Sequence, residues 1–197
     1  MLNLGFLASH GGSNMQSIID WCKDGRLFAK PCCVISNNSN SFALQRARNE
    51  NIPAYHISSL VYPIQDAYDD AIIDIFSSNG VDTVVLAGYM KLLGSSVIRH
   101  FKGRVLNIHP ALLPKFGGKG MYGKYVHEAV IAAGEKFSGP SVHLVDEIYD
   151  NGRILSQIQI PVLPEDTPET LAKRVLEQEH IIYPQTLQKI ALGEIVI

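Results

Sequence analysis

The stretch LNLGFLASHGGSN, Leu2 to Asn14, changes from apolar to glycine-rich at Ser9. The apolar part, Leu2 to Ser9, predicts a buried β-strand. The segment HGGSN predicts a tight turn, and the apolar spacing from Met15 to about Asp24 predicts a helix. A strand, a glycine turn and a helix in this order are typical of the first unit of an α/β fold.

The same alternation of strand and helix continues through the first half of the chain. We predict strands at Cys32–Ser36, Ala54–Ile57, Thr83–Leu86 and Val105–Ile108, and helices at Ser41–Glu50 and Pro63–Asn79. The last two strands are short and aliphatic, as in the inner strands of a parallel sheet that is covered on both faces. The sequence therefore predicts a doubly wound α/β fold, with a mostly parallel sheet and helices on both faces.

The second half of the chain differs from the first in its amino-acid pattern. It begins with a glycine-rich loop at Phe116–Tyr125, and a short helix is predicted at Val126–Ala133. Further strands are predicted at Ser141–Val145 and Ile154–Ile160, and a closing helix after Thr167 that bends at Pro184. We expect one domain over residues 1–197, in which an N-terminal half of about 1–110 carries a phosphate site and a C-terminal half of about 111–197 completes the catalytic site.

Composition and charge narrow the class of protein. The chain has 197 residues, 46% hydrophobic and 18% charged, as in a globular domain with a real core. Its net charge is -2, which favours neither nucleic acid nor an anionic membrane as a partner. Three cysteines, Cys22, Cys32 and Cys33, form neither a disulfide framework nor a metal-ligand spacing. The apolar stretch MLNLGFLAS has no basic leader and is too short for a signal peptide or a membrane span, so we expect a cytoplasmic protein.

Two polar residues interrupt the apolar run VLNIHPALLP, Val105 to Pro114. In an extended chain Asn107 and His109 project to the same face, and Pro110 ends the strand. The carboxyl ends of parallel strands form the ligand crevice of a doubly wound sheet. The pair is therefore a candidate site, although a lone histidine at a strand end is more often structural.

Three other segments allow both a structural and a functional interpretation. SHGGSN, Ser9 to Asn14, is either an ordinary helix cap or a phosphate site at a helix N-terminus. DEIYDNG, Asp146 to Gly152, is either a solvated turn or the source of Asp150, which would hold and charge the histidine. His143 is more often a structural support, and the adjacent His127 and Glu128 lack a second ligand at helical spacing, so we expect no metal site.

Five segments together resemble a known family. SHGGSNMQSIID, VVLAGYMKLL, LNIHPALLPKF, SVHLVDEIYDNG and RVLEQEHIIYP resemble, in this order, segments of the glycinamide ribonucleotide formyltransferase family of purine biosynthesis. The resemblance covers nearly the whole chain and implies a Rossmann-like formyltransferase fold. It also implies transfer of the formyl group of 10-formyltetrahydrofolate, as co-substrate and without a metal, to the amine of glycinamide ribonucleotide.

The resemblance assigns roles to individual residues. The catalytic trio is Asn107, His109 and Asp150, with His143 as their support. Glu179 would accept hydrogen bonds from the ribose, and the full set at the ribonucleotide is Gly12, Ser13, Asn14, Pro110, Leu176, Glu177, Gln178 and Glu179. The folate would also contact Gln65 and Asn107, and its pocket would be lined, largely through main-chain groups, by Met90, Lys91, Leu92, Leu93, Asp146, Glu147, Ile148, Tyr149 and Asp150.

Two features depart from the family pattern. Gln65 stands where the family commonly has an arginine, and the loop Phe116–Tyr125 is longer than usual. The remaining alternatives are formylation of an amino sugar nucleotide, hydrolysis of formyltetrahydrofolate, and a noncatalytic nucleotide-binding regulatory module. We expect small-molecule partners, and the sequence predicts no oligomeric state.

Overall fold

Strands and helices alternate through the first half of the chain, as the sequence predicts. The computed structural model describes residues 1–197. Its elements are β1 Leu2–Leu7, α1 Ser13–Lys23, β2 Ala29–Ser36, α2 Phe42–Asn49, β3 Ala54–His56, α3 Gln65–Ser78, β4 Thr83–Leu86, α4 Ser95–His100, β5 Val105–His109, α5 Lys124–Ala132, β6 Phe137–Ser138, β7 Ser141–Leu144, β8 Ile154–Gln157, β9 Ile160–Pro161 and α6 Pro168–Ala191.

Seven of the strands form one sheet in the order β3-β2-β1-β4-β5-β7-β8. The first five strands of this order are parallel, and β7 and β8 add to the edge as antiparallel strands. The chain winds outward in one direction from β1 to β3 and then in the other from β4, so the sheet has a switch point between β1 and β4. The predicted doubly wound fold with a mostly parallel sheet is confirmed.

The two faces of the sheet carry separate apolar clusters. One cluster packs α1, α2 and α6 on the sheet and contains residues from both halves of the chain, from Leu2 to Ile190. The other packs α3 and α4 on the opposite face, around Ile72, Phe76 and Val97. Because both faces are covered, the inner strands β1 and β4 are apolar along nearly their whole length.

Two local features differ from the sequence-based expectations. The helix α4 was not expected, because six residues are too few for a helical period to be recognised. The strand expected at Ile154–Ile160 is divided into β8 and β9, and β9 pairs with β6 in a separate two-stranded sheet. Gly139, at φ 140°, lies so close to Ile158 that a Cβ there would be 1.8 Å from its carbonyl oxygen. Pro184 is buried inside α6, which continues to Ala191.

Candidate active site

The floor of the site is the antiparallel pair of strands β5 and β7. Asn107 lies directly opposite His143 in this ladder, and the amide nitrogen of Asn107 is 3.1 Å from Nε2 of His143. The other ring nitrogen, Nδ1, is 2.8 Å from the carbonyl oxygen of Leu144. Since a carbonyl only accepts, Nδ1 carries a hydrogen, and Nε2 is the ring atom that meets the Asn107 amide. His143 therefore fixes the orientation of the Asn107 amide.

Asp150 lies between the two histidines. One carboxylate oxygen, Oδ2, is 3.5 Å from Nδ1 of His109, and the other, Oδ1, is 3.6 Å from Nε2 of His143. The backbone N–H of Gly118 donates to Oδ2 at 2.9 Å. Burial raises the pKa of Asp150, but the contact with His143, the charge of His109 and the Gly118 N–H outweigh it and hold the pKa below its usual value. Asp150 is therefore ionised at neutral pH.

His109 occupies the last position of β5 and is almost completely buried, with 3% of its surface exposed. Its Nε2–H donates to the carbonyl oxygen of Phe116 at 2.7 Å, while Nδ1 faces Asp150. Two acceptors around one ring suit an imidazolium. Burial nevertheless lowers the pKa of His109 by more than Asp150 and the Phe116 carbonyl raise it. Asp150 thus favours the charged form of His109, but in the free protein desolvation has the larger effect on its pKa.

These residues line a cavity of about 700 Å³ at the carboxyl ends of the parallel strands. Its floor contains Asn107, His109, Pro110, His143 and Asp150. Other residues expected at the ligands also line it, namely Asn14, Met90, Lys91, Leu92, Leu93, Asp146, Ile148, Tyr149, Leu176 and Glu179. The structure thus brings together residues that are far apart in the sequence.

The glycine turn before α1 meets the closing helix α6. Gly12 is the N-terminal cap of α1 with φ 67°, and no side chain caps this helix end. The first N–H groups of α1 are therefore available to an anion. The amide of Asn14 donates to Oε2 of Glu179 at 2.6 Å, and both side chains are buried. Burial raises the pKa of Glu179 in spite of this hydrogen bond.

Six residues expected at the ligands do not line the cavity: Gly12, Ser13, Gln65, Glu147, Glu177 and Gln178. The amide of Gln65 is engaged outside the cavity, where it donates to Asp69 of the same helix at 2.6 Å. Asp69 is buried, so this short i, i+4 contact holds Gln65 against α3. Glu147 is exposed and contacts Arg99 at 3.5 Å. Glu177 is likewise exposed, on the outer side of α6.

The cavity is also lined by residues outside the ligand-binding sets that the resemblance implies. The glycine-rich loop contributes Gly118 to Lys124, and α6 contributes Pro168, Glu169 and Ala172. His127 also lines the cavity, with its Nδ1 buried and without a hydrogen-bond partner. Burial, and then the nearby His109, lower the pKa of His127. No local pattern predicts this position, because in the sequence His127 stands beside Glu128 without a second metal ligand at helical spacing.

No group of three or more His, Cys, Asp or Glu side chains among residues 1–197 is arranged to hold a metal ion. None of the helices combines the length and the apolar composition needed to span a lipid bilayer.

Comparison with known proteins agrees with the resemblance of the sequence segments. Residues 2–187 match the family model described as "Formyl transferase". The phosphoribosylglycinamide formyltransferase of Haemophilus influenzae is 40% identical over 99% of this chain and 90% of its own. The chloroplastic enzyme of the same name from Arabidopsis thaliana is 42% identical over 93% of this chain, but the match spans only 63% of the plant protein.

A solved structure gives the same result. The crystal structure of glycinamide ribonucleotide transformylase 1 from Symbiobacterium toebii superimposes with a TM-score of 0.94 and 38% identity, over 100% of this chain and 91% of that one. The family resemblance is thereby confirmed. The chain belongs to the formyl transferase family and, within it, to the phosphoribosylglycinamide formyltransferases.

Proposed function

We propose that the protein transfers the formyl group of 10-formyltetrahydrofolate to the amine of glycinamide ribonucleotide, a step of purine biosynthesis. The observation that carries the proposal is the convergence of Asn107, His109 and Asp150 at the floor of one cavity. An amide donor, an imidazole and an ionised carboxylate are the groups that acyl transfer to an amine requires. The similarity to phosphoribosylglycinamide formyltransferases supports this choice of substrates.

The cavity suits a folate in size and in chemistry. Its volume of about 700 Å³ lies within the range that holds ligands of this size. Met90, Leu92 and Ile98 give one side of it an apolar surface for a flat ring. The segment Asp146–Asp150 borders the same cavity and offers main-chain groups for hydrogen bonds to the ring. Bound there, 10-formyltetrahydrofolate supplies the formyl group.

The acceptor would lie between α1 and α6. Its phosphate suits the uncapped N-terminus of α1 at Gly12 and Ser13, where backbone N–H groups and the helix dipole favour an anion. Glu179 faces the cavity from α6 and is the buried acceptor available to ribose hydroxyls. Its hydrogen bond with Asn14 places the ribose and phosphate contacts side by side.

Asn107 and His109 stabilise the negative charge that develops on the formyl oxygen when the amine adds to the formyl carbon. One such donor contributes about 3 kcal/mol to the transition state. Developing negative charge also favours the protonated form of His109, which burial disfavours in the free protein. The amine loses one proton and the folate nitrogen that releases the formyl group gains one. Asp150, ionised and in contact with both histidines, relays this proton.

We place this chemistry in the cytoplasm. Cys22, Cys32 and Cys33 are all free thiols in the structure, which suits a reducing compartment. Burial raises the pKa of Cys33 to about 12, so its thiol is unreactive at neutral pH. The partners of this proposal are small molecules, the folate and the ribonucleotide.

The experiment measures tetrahydrofolate formation from 10-formyltetrahydrofolate in three parallel reactions. They contain glycinamide ribonucleotide, no acceptor, or an amino sugar nucleotide. We expect product with the ribonucleotide alone. Equal product without an acceptor would identify a hydrolase instead. Product only with the amino sugar nucleotide would identify that nucleotide, and not glycinamide ribonucleotide, as the acceptor. Binding of the ribonucleotide with no product in any reaction would identify a noncatalytic module.

A further inference from the structure

Ser9 lies at the junction of the two substrate sites, and its hydroxyl has no role in the chemistry described so far. It follows β1 and is 1% exposed. On its C-terminal side the chain enters the glycine turn that leads to α1. Across the sheet switch point, the chain leaving β4 forms the segment Gly88–Leu93, which lines the cavity. Ser9 therefore stands between the acceptor turn and the wall of the folate pocket.

Ser9 joins these segments through both its backbone and its side chain. Its N–H donates to the carbonyl oxygen of Gly88 at 3.0 Å. Its Oγ accepts from the N–H of Met90 at 2.8 Å and donates to Oδ1 of Asn37 at 2.6 Å. Because a hydroxyl has one hydrogen, donation to Asn37 turns its lone pairs towards Met90. Asn37 thus orients the Ser9 hydroxyl so that its oxygen accepts from the N–H of Met90.

The opposite side of the same segment is anchored separately. The hydroxyl of Tyr89 is 2.6 Å from that of Tyr68, and Tyr68 is buried on α3. Loss of the Ser9 hydroxyl therefore leaves Tyr89 anchored, and it removes the acceptor of the Met90 N–H and the donor to Asn37 Oδ1. A main-chain N–H without a partner at the wall of a cavity allows that wall to shift, and small displacements of a positioning group weaken binding.

We propose that Ser9 is a positioning residue that links the acceptor turn to the folate-binding segment Gly88–Leu93, so that the affinities of the two substrates are coupled. The inference rests on the proposed function, since it assigns the two segments to two substrates. Coupling of this kind is reciprocal: the factor by which the ribonucleotide tightens folate binding equals the factor by which folate tightens ribonucleotide binding.

The test compares wild type, Ser9→Ala and Asn37→Ala with Ser78→Ala. Ser78 is a matched control because its hydroxyl bonds only to the Ile75 carbonyl, on the exposed side of α3. Calorimetry under anaerobic conditions measures the dissociation constant of tetrahydrofolate with and without saturating glycinamide ribonucleotide. Initial rates give the KM for 10-formyltetrahydrofolate and kcat. Thermal unfolding of each variant is recorded alongside.

We expect Ser9→Ala to raise the folate KM about tenfold, which is the effect of one lost hydrogen bond. Its kcat changes less than its KM, and the ribonucleotide no longer tightens tetrahydrofolate binding. Asn37→Ala shows the same changes at smaller size, and Ser78→Ala behaves as wild type. Should Ser9→Ala fail to fold, Asn37→Ala and Ser9→Cys, which keeps the side-chain size with a weaker acceptor, carry the test.

Two results would overturn the proposal. One is a Ser9→Ala protein whose folate KM and coupling equal those of wild type. The other is a wild-type protein in which the ribonucleotide has no effect on tetrahydrofolate binding. Failure of the proposed function has a different signature, because the wild type itself would then form no tetrahydrofolate from the two substrates, whatever the variants bind.

Discussion

Replacing Asp150 by Asn deletes a charge beside His109 while it keeps the size of the side chain. The carboxylate oxygen lies 3.5 Å from Nδ1 of the imidazole, and the Asp150 side chain is 11% exposed. Two unit charges at this separation attract by about 1 kcal/mol in water and about 5 kcal/mol at an effective dielectric constant near 20. Even the smaller energy corresponds to roughly a tenfold loss in the ratio of protonated to neutral imidazole.

The direction of the effect follows from the causes already identified. Burial lowers the pKa of His109 and Asp150 raises it, so the pKa of His109 falls further in Asp150→Asn. Since the protonated ring stabilises the transition state, kcat falls at least about tenfold at neutral pH and recovers partly as the pH is lowered. The dissociation constant of glycinamide ribonucleotide changes less, because the interaction strengthens mainly as charge develops.

The assay is a profile of kcat between about pH 5 and pH 9 for wild type, Asp150→Asn and a control. Asp74→Asn is the control, because it removes one exposed negative charge from α3. We expect the control to follow wild type, and the basic limb of the Asp150→Asn profile to move to lower pH. An Asp150→Asn protein with unchanged kcat and an unmoved profile would refute the assignment of Asp150 to the catalytic trio.

Four further outcomes test separate parts of the site. His109→Ala lowers kcat about a hundredfold or more in steady-state assays, with unfolding still cooperative; wild-type turnover would remove it from the mechanism. Gly12→Ala lowers the free energy of unfolding in urea by about 1 to 2 kcal/mol, because the φ of Gly12 is 67° and the new Cβ would lie 2.8 Å from Ala43 of α2. An unchanged free energy of unfolding would contradict this strain. Gln65→Arg raises the midpoint of unfolding, because the arginine pairs with buried Asp69, and it leaves the KM values of the folate and the ribonucleotide unchanged. A lower folate KM would show instead that residue 65 contacts the folate. Burial holds the pKa of His109 and His127 below the value of 6.5 that applies in the unfolded chain, so the unfolded chain binds more protons. The free energy of unfolding in urea therefore falls as the pH is lowered from about 7 to 5. A free energy of unfolding that does not change with pH would refute this.

The order of the elements in the first half could be predicted from the sequence because each element carries its own signal. Glycine after β1, the apolar spacing of α3 and the aliphatic run of β4 are local patterns. The division between β8 and β9 could not be predicted in this way. It depends on strand pairing in the assembled fold, because β8 pairs with β7 whereas β9 pairs with β6.

The candidate site, too, could be predicted only as far as local sequence patterns reach. Asn107 and His109 could be paired from strand periodicity, and the acidic loop DEIYDNG offered Asp150 as a candidate partner that the resemblance then supported. The carbonyl of Phe116 contacts His109, and the N–H of Gly118 contacts Asp150. Both are main-chain groups, so the amino-acid types in the sequence do not predict these contacts. The balance between desolvation and charge at His109 also depends on burial, which only the assembled fold defines.

The pairing of β5 with β7 has a consequence for changes in chain length. The ladder fixes His143 opposite Asn107 whatever the length of the connection before it. A peptide inserted after Ala133, in the exposed turn that follows α5, leaves that register intact. Each residue added between His143 and Asp150 instead moves the carboxylate away from both rings. Tolerance to insertion therefore differs between the two connections: a fusion partner can be placed after Ala133 but not between His143 and Asp150.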